Sequence, residues 1–201
     1  MENNKLHIIS TGKQKPELLA DIVGRIHPYI DCIHLREKTK TAKEIYKMVE
    51  LLIDQQVPLS KIVINDRADV AYVSNAKGVQ LAYHSLPVEI VKRKFSNLTV
   101  GCSVHSIEEA QMAEQQGADY LIFGHVYSTQ SKPGLRPKGI DQLRSVSESV
   151  SIPVIAIGGI MPANIKDVIK AGTQGVAIMS GILEAKDPFE TVQQYRSYLS
   201  S

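Results

Sequence analysis

The chain has 201 residues, of which 43% are hydrophobic and 22% charged, with a formal net charge of +2 at pH 7. That length allows one domain with a full core, the small charge excess argues against a nucleic-acid partner, and no apolar run reaches membrane-spanning length. The opening Met1-Glu2-Asn3-Asn4-Lys5 lacks a signal-peptide pattern, so a cytoplasmic protein is expected.

Taken in chain order, strand-like runs fall at 6–10, 32–36, 61–65, 78–81, 99–103, 120–124, 154–158 and 175–179. Helical patterns fill 16–27, 41–55, 66–74, 87–95, 106–116, 139–149, 162–171 and 188–199. Several boundaries carry chemical signals. Ser106 followed by Glu109 suits a capping box, Pro162 suits a first helical turn, and Gly117 and Gly172 suit helix C-terminal caps. Cys32 and Cys102 sit inside apolar runs and read as buried, reduced thiols. No CxxC or HExxH spacing suggests zinc.

Eight strands alternating with eight helices imply a parallel sheet and an α/β fold. The last two strands, Val154-Ile155-Ala156-Ile157-Gly158-Gly159 and Gly175-Val176-Ala177-Ile178-Met179-Ser180-Gly181, are β-branched runs ending in glycine or serine. A (β/α)8 TIM barrel builds its phosphate site after strands 7 and 8. A doubly wound open sheet puts its glycines after strand 1 instead. There this chain has only Ser10-Thr11-Gly12-Lys13. The expectation is therefore one TIM-barrel domain over 1–201 that takes a phosphorylated ligand.

The C-terminal strand ends of such a barrel converge on one face. The amides of Gly158, Gly159, Met179, Ser180 and Gly181 could hold a phosphate; tight strand–helix packing is the bland alternative. His125, at the end of strand 6, is a candidate acid–base group, or a histidine satisfied by a loop carbonyl. Arg36 and Lys38 alternate along an extended segment. They could hold a carboxylate or second anion, or form a barrel-end salt bridge with Glu37 or Asp66. Asn65 is read as a ligand group and Asp66 as the cap of helix 3. Ser103 suits either a ligand contact or a strand cap, and Lys132 could reach over the pocket from the 130–138 loop or stay solvated. Tyr83 and His84 are placed on the pocket wall; His7, His27, His34 and His105 are read as structural.

HLREK at 34–38, IVINDRADVA at 62–71, SVHSIEEA at 103–110, GADYLIFGHVYSTQSK at 117–132, IPVIAIGGI at 152–160 and GVAIMSGI at 175–182 together resemble the thiamine phosphate synthase superfamily. Within it the chain looks most like the TenI thiazole tautomerase branch. Two departures from the synthase pattern point that way. His125 stands where the synthase type has proline, and Ser85 stands where it has the second of two magnesium-binding aspartates, the first matching Asp66.

The resemblance implies an isomerase without cofactor or metal. It would convert a dihydrothiazole carboxylate phosphate to the aromatic thiazole carboxylate phosphate, with His125 moving the proton. Arg36, Lys38, Asn65, Ser103 and Lys132 would bind substrate. The expected partner is a small phosphorylated thiazole, with no nucleic acid and no membrane. A homo-oligomer paired through outer helices is left open. Two alternatives are carried: a magnesium-dependent thiamine phosphate synthase, supported by the synthase-type Arg36, Lys38, Asn65, Asp66, Ser103 and Lys132, and a non-catalytic regulator that binds a thiazole phosphate.

Overall fold

The computed structural model describes residues 4–200, so Met1–Asn3, which bear on the leader expectation, lie outside it. The β-branched runs form eight strands: β1 (Lys5–Ile9), β2 (Cys32–Leu35), β3 (Ile62–Asn65), β4 (Gly78–Leu81), β5 (Thr99–Val104), β6 (Tyr120–Gly124), β7 (Val154–Ile157) and β8 (Gly175–Ile178). They are parallel and close into a barrel in chain order, with β8 returning to β1 through the His7–Ala177 register. The (β/α)8 expectation is the observed fold.

The helices are α1 (Pro16–Ile26), α2 (Ala42–Asp54), α3 (Ala68–Val73), α4 (Val88–Lys94), α5 (Ile107–Gln115), α6 (Gly139–Ser149), α7 (Ile165–Lys170), α8 (Ser180–Leu183) and α9 (Pro188–Ser200). Their starts follow local chemistry. Thr41 and Glu44 make a reciprocal capping box at α2. Ser106 accepts from the Glu109 amide at α5, but the Glu109 carboxylate takes the His105 amide rather than closing the box on Ser106. Pro162 begins a 3-10 turn, Pro162–Asn164, and α7 proper follows. Helix α3 begins two residues later than expected. The four-residue α8 lies in a stretch that the sequence reading left without a helix.

Alternation along each strand divides the side chains into two layers. Outward residues such as Leu6, Ile8, Ile33, Leu35, Ile64, Leu121 and Phe123 are fully buried beneath the helices. Each such side chain contributes about 1.5–3 kcal/mol by leaving water. Inward residues fill the lumen. Its apolar part is Ile9, Tyr120, Ile122, Ile155 and Ala177, with Ile157 and Met179 packed against it.

The rest of the lumen is polar. His7 Nδ1 and His34 Nε2 lie 2.9 Å apart, and both rings meet Tyr120 edge-on. Burial pushes the His7 imidazole down to about 3, with Lys77 adding to the effect, and lowers His34 well below its ordinary value. The middle of the barrel is thus filled by a pair of neutral histidines.

Candidate active site

The site is built from the residues that follow each strand. At β1 and β2, the Ser10 hydroxyl donates to Glu37 at 2.6 Å and accepts from the Arg36 amide at 2.8 Å. Glu37 is buried and pairs with Lys40 at 3.3 Å. This clasp fixes the exit of β2. Arg36 comes out half-buried and Lys38 exposed, but a turn at 38–39 breaks the extended segment expected to point them the same way. The salt bridge weighed for them is also absent among the described residues: Glu37 pairs with Lys40 and Asp66 with His84.

At β3, the Arg67 amide donates to the Asn65 carbonyl at 2.8 Å across Asp66, whose φ is 67°. That is a tight three-residue turn with a left-handed residue at its apex, a costly conformation found where the surroundings impose it. It aims Asp66 away from α3, whose N-cap is Arg67 with no side-chain capping bond. The capping role expected for Asp66 is therefore corrected. Its carboxylate faces His84 Nε2 at 3.7 Å across the end of β4. Tyr83 is 93% exposed and projects into solvent, so it is no part of a pocket wall. Asn65 Oδ1 is buried without a hydrogen-bond partner.

At β5, the Ser103 hydroxyl accepts from Gln80 Nε2 at 3.0 Å. At β6, His125 is buried and its Nε2 donates to the Leu135 carbonyl at 3.3 Å. The 128–136 loop is fastened at its far end by Lys138 and Gly139 amides donating to the His125 and Val126 carbonyls. A cavity of about 570 Å³ lies along that loop, lined by Ser128, Thr129, Gln130, Lys132 and Arg136 among others. Burial lowers the Lys132 ammonium below its ordinary value, and Lys138, Arg36 and Lys38 lower it further. These cations therefore share one electrostatic field at the barrel mouth.

At β7 and β8 the glycines meet the β6 exit. Val126 and Tyr127 amides donate to the Ile157 and Gly158 carbonyls, each at 2.9 Å. A Cβ on Gly158 would strike His125, and one on Gly159 would strike Tyr127 and Ser128. Close packing, the bland reading of these glycines, is thus part of their role. The loop is also held from behind: Asn164 donates to the Gly159 carbonyl at 3.1 Å and Tyr195 to the Ile160 carbonyl at 3.1 Å. Helix α8 opens at Ser180, directly after β8 and Met179. The amides of its first turn have no acceptor within the helix. A short extra helix after strand 8 is the usual partner of the strand-7 loop in barrel phosphate sites.

A hollow of about 440 Å³ lies at the opposite end of the barrel, lined by Tyr29, Asp31, Lys61 and Arg196 among others. Its charges are already engaged. Lys61 donates to the His27 and Ile30 carbonyls, and Arg196 pairs with Asp31 at 2.6 Å. It does not compete with the C-terminal mouth.

Sequence reasoning named Gly158, Gly159, Met179, Ser180, Gly181, Arg36, Lys38, Asn65, Ser103, Lys132 and His125. All stand on the C-terminal half of the barrel or its loops. It missed the Ser10–Glu37 clasp, the Tyr195 hydroxyl and Asn164. Nothing local in the sequence marks Tyr195, which reaches the site from α9.

The fold and its polar rim define a (β/α)8-barrel protein with a candidate site at the carboxyl ends of the strands. A family model described as thiamine monophosphate synthase matches residues 6–182, and the chain belongs to that family. It is 38% identical to a thiamine-phosphate synthase of Pyrococcus abyssi, over 98% of this chain and 96% of that one. It is 36% identical to the thiamine-phosphate synthase of Pyrococcus furiosus, over 96% and 93%. Among solved structures, a thiamine phosphate pyrophosphorylase from Pyrococcus furiosus superposes with a TM-score of 0.84 at 34% identity, covering 98% and 96% of the two chains. A 3-hexulose-6-phosphate synthase, at 18% identity and a TM-score of 0.75, shares the fold.

These relatives overturn the expected tautomerase. Near-complete matches carry the synthase name. The two departures that favoured the other branch have local structural explanations. His125 binds the Leu135 carbonyl, and the Ser85 hydroxyl accepts from the Ala82 amide at 2.8 Å. The family and the barrel stand; the isomerase assignment does not. Among the described residues no helix is long and apolar enough to cross a membrane.

Proposed function

We propose that this chain is a thiamine-phosphate synthase, a transferase that joins a pyrimidine pyrophosphate to a thiazole phosphate. The observation that carries the reading is the 38% identity to a relative of that name across almost the whole of both chains. The site is consistent with it. The strand-7 and strand-8 amides, at Gly158, Gly159, Met179, Ser180 and Gly181, hold the thiazole's phosphate. Arg36, Lys38 and Lys132 face the pyrophosphate, the leaving group, whose departure needs cationic stabilisation. Asn65 and Ser103 contact the heterocycles from the rim. His125 fastens the 128–136 loop over the mouth; the proton-transfer role belonged to the tautomerase and goes with it.

The resemblance to synthases implies magnesium, and the donor set here does not fit it. Magnesium asks for oxygen ligands in near-ideal octahedral geometry, usually including carboxylates. The β3–β4 rim offers one carboxylate, Asp66, already facing the His84 imidazole, and a serine hydroxyl engaged by a backbone amide. Among the described residues no group of three or more His, Cys, Asp or Glu is placed to hold a metal ion. The pyrophosphate's charge falls to the cations.

The test is direct. Purified protein is given both substrates, with and without magnesium, and thiamine phosphate is followed chromatographically. Product formation that Lys132→Ala weakens supports the reading. Absence of product under both conditions overturns it.

A further inference from the structure

Three residues on adjacent strands share one register: Gln80 on β4 pairs with Gly101 on β5, which pairs with Tyr120 on β6. All three point into the lumen, and the middle one has no side chain. The Gln80 amide and the Tyr120 hydroxyl both reach into the space that a side chain at 101 would fill. A glycine there lets residues two strands apart face one another.

Both groups are buried and both carry an unanswered valence. Gln80 is 2% exposed, its Nε2 donates to Ser103, and its Oε1 has no partner. The Tyr120 hydroxyl has none either. A buried donor or acceptor left unpaired costs about 1–3 kcal/mol. A tyrosine O–H and an amide oxygen are complementary, and a torsion of either side chain or one bridging water would join them.

We propose that Gln80 is a positioning residue that turns Ser103 into a hydrogen-bond donor toward substrate, with Tyr120 setting the orientation of the Gln80 amide. Once Tyr120 gives its proton to Oε1, the NH2 group must face Ser103. One lone pair of the Ser103 oxygen is then taken by the amide, and the serine proton is left free to turn toward the barrel mouth. Ser103 is thereby biased toward an acceptor on the ligand, a heterocyclic nitrogen or an anionic oxygen. The inference rests on the reading above that Ser103 meets substrate.

The test combines Gln80→Leu, Gln80→Glu, Tyr120→Phe and Ser103→Ala with a thermal-unfolding check on each. Gln80→Leu and Ser103→Ala are each expected to lower kcat/KM by about 10- to 100-fold, and the double variant by no more than either alone. Gln80→Glu, whose carboxylate takes the serine proton, should resemble Ser103→Ala. Additive losses, or a folded Gln80→Leu with unchanged kcat/KM, overturn the proposal. A second readout needs no turnover. The side-chain amide resonances of Gln80, assigned by nitrogen-15 NMR in the native protein, are expected to shift in both Tyr120→Phe and Ser103→Ala. Resonances unmoved by both overturn the positioning even in an active enzyme. Resonances that move in a protein making no thiamine phosphate keep it and remove the synthase reading instead.

Discussion

The Tyr195 hydroxyl donates to the Ile160 carbonyl at 3.1 Å and stands 3.0 Å from where a Cβ on Gly181 would lie. One buried side chain from α9 thus touches both halves of the strand-7 and strand-8 cup. It ties the loop after β7 and limits the size of the residue in the first turn of α8. Tyr195→Phe removes the bond and leaves a buried carbonyl unanswered. The expected loss of stability is about 1–3 kcal/mol by urea denaturation. KM for the phosphate-bearing thiazole should rise several-fold while kcat holds, because the cup loosens without touching the reacting atoms. A KM equal to that of the parent protein would separate Tyr195 from phosphate binding.

Gly159 combines two constraints. Its φ is 65°, and a Cβ would meet the Ser128 carbonyl and the Tyr127 side chain at 2.5 and 2.7 Å. Gly134, with φ 76°, has nothing within 4 Å of the same position. Gly134→Ala should therefore cost only the backbone term, about 1 kcal/mol, whereas Gly159→Ala adds the overpacking cost and should reach about 2–4 kcal/mol. Denaturation midpoints of the two variants make the comparison. Equal losses would mean that the β6 exit yields freely and that packing does not explain Gly159.

The barrel was legible because eight β-branched runs alternate with eight helical ones, a pattern that depends only on local residues and spacing. Gly158, Gly159 and Ser180 were legible for the same reason, as small residues closing buried strands. What sequence missed lies across the chain. Gln80 became informative only beside Gly101 and Tyr120, and that alignment is a matter of strand register. Asp66 read as a helix cap because an aspartate before a helical run normally is one; the turn at φ 67° overrides that preference. Lys38 was assigned a direction from period-2 alternation, which ends when the strand does at Leu35. His125 and Ser85 looked like branch markers because their hydrogen bonds to Leu135 and Ala82 cannot be read from sequence.

The β3–β4 rim makes a prediction about cations. Ser85 lies beyond β4, and its hydroxyl now only steadies a turn by accepting from the Ala82 amide. An aspartate there could keep that bond through one oxygen and present the other to the rim that carries Asp66. Ser85→Asp is expected to tighten magnesium binding by about tenfold or more, since a second carboxylate adds charge and a hard ligand. Calorimetric titration of both proteins with magnesium chloride measures it. Equal affinities would show that the serine is no obstacle to the metal and that the rim's donor set had been misjudged.

The plugged lumen predicts how the protein meets acid. His7 is pushed down to about 3 and His34 well below its ordinary value, in both cases chiefly by burial. A histidine depressed in the folded state takes up its proton more readily when unfolded. Its contribution is therefore neutral above the unfolded value near 6.5, and stability falls as pH drops from there toward 3. The slope is about 1.4 kcal/mol per pH unit for each histidine that titrates only in the unfolded chain. Two such residues should give a steep acid limb in urea midpoints measured between pH 7 and 4. His7→Asn removes one titrating group and keeps a polar side chain beside His34. Its limb should be shallower, even if the variant is less stable at pH 7, because the slope counts protons rather than contacts. An unchanged slope would place the acid sensitivity elsewhere in the chain and free the histidine pair from that role.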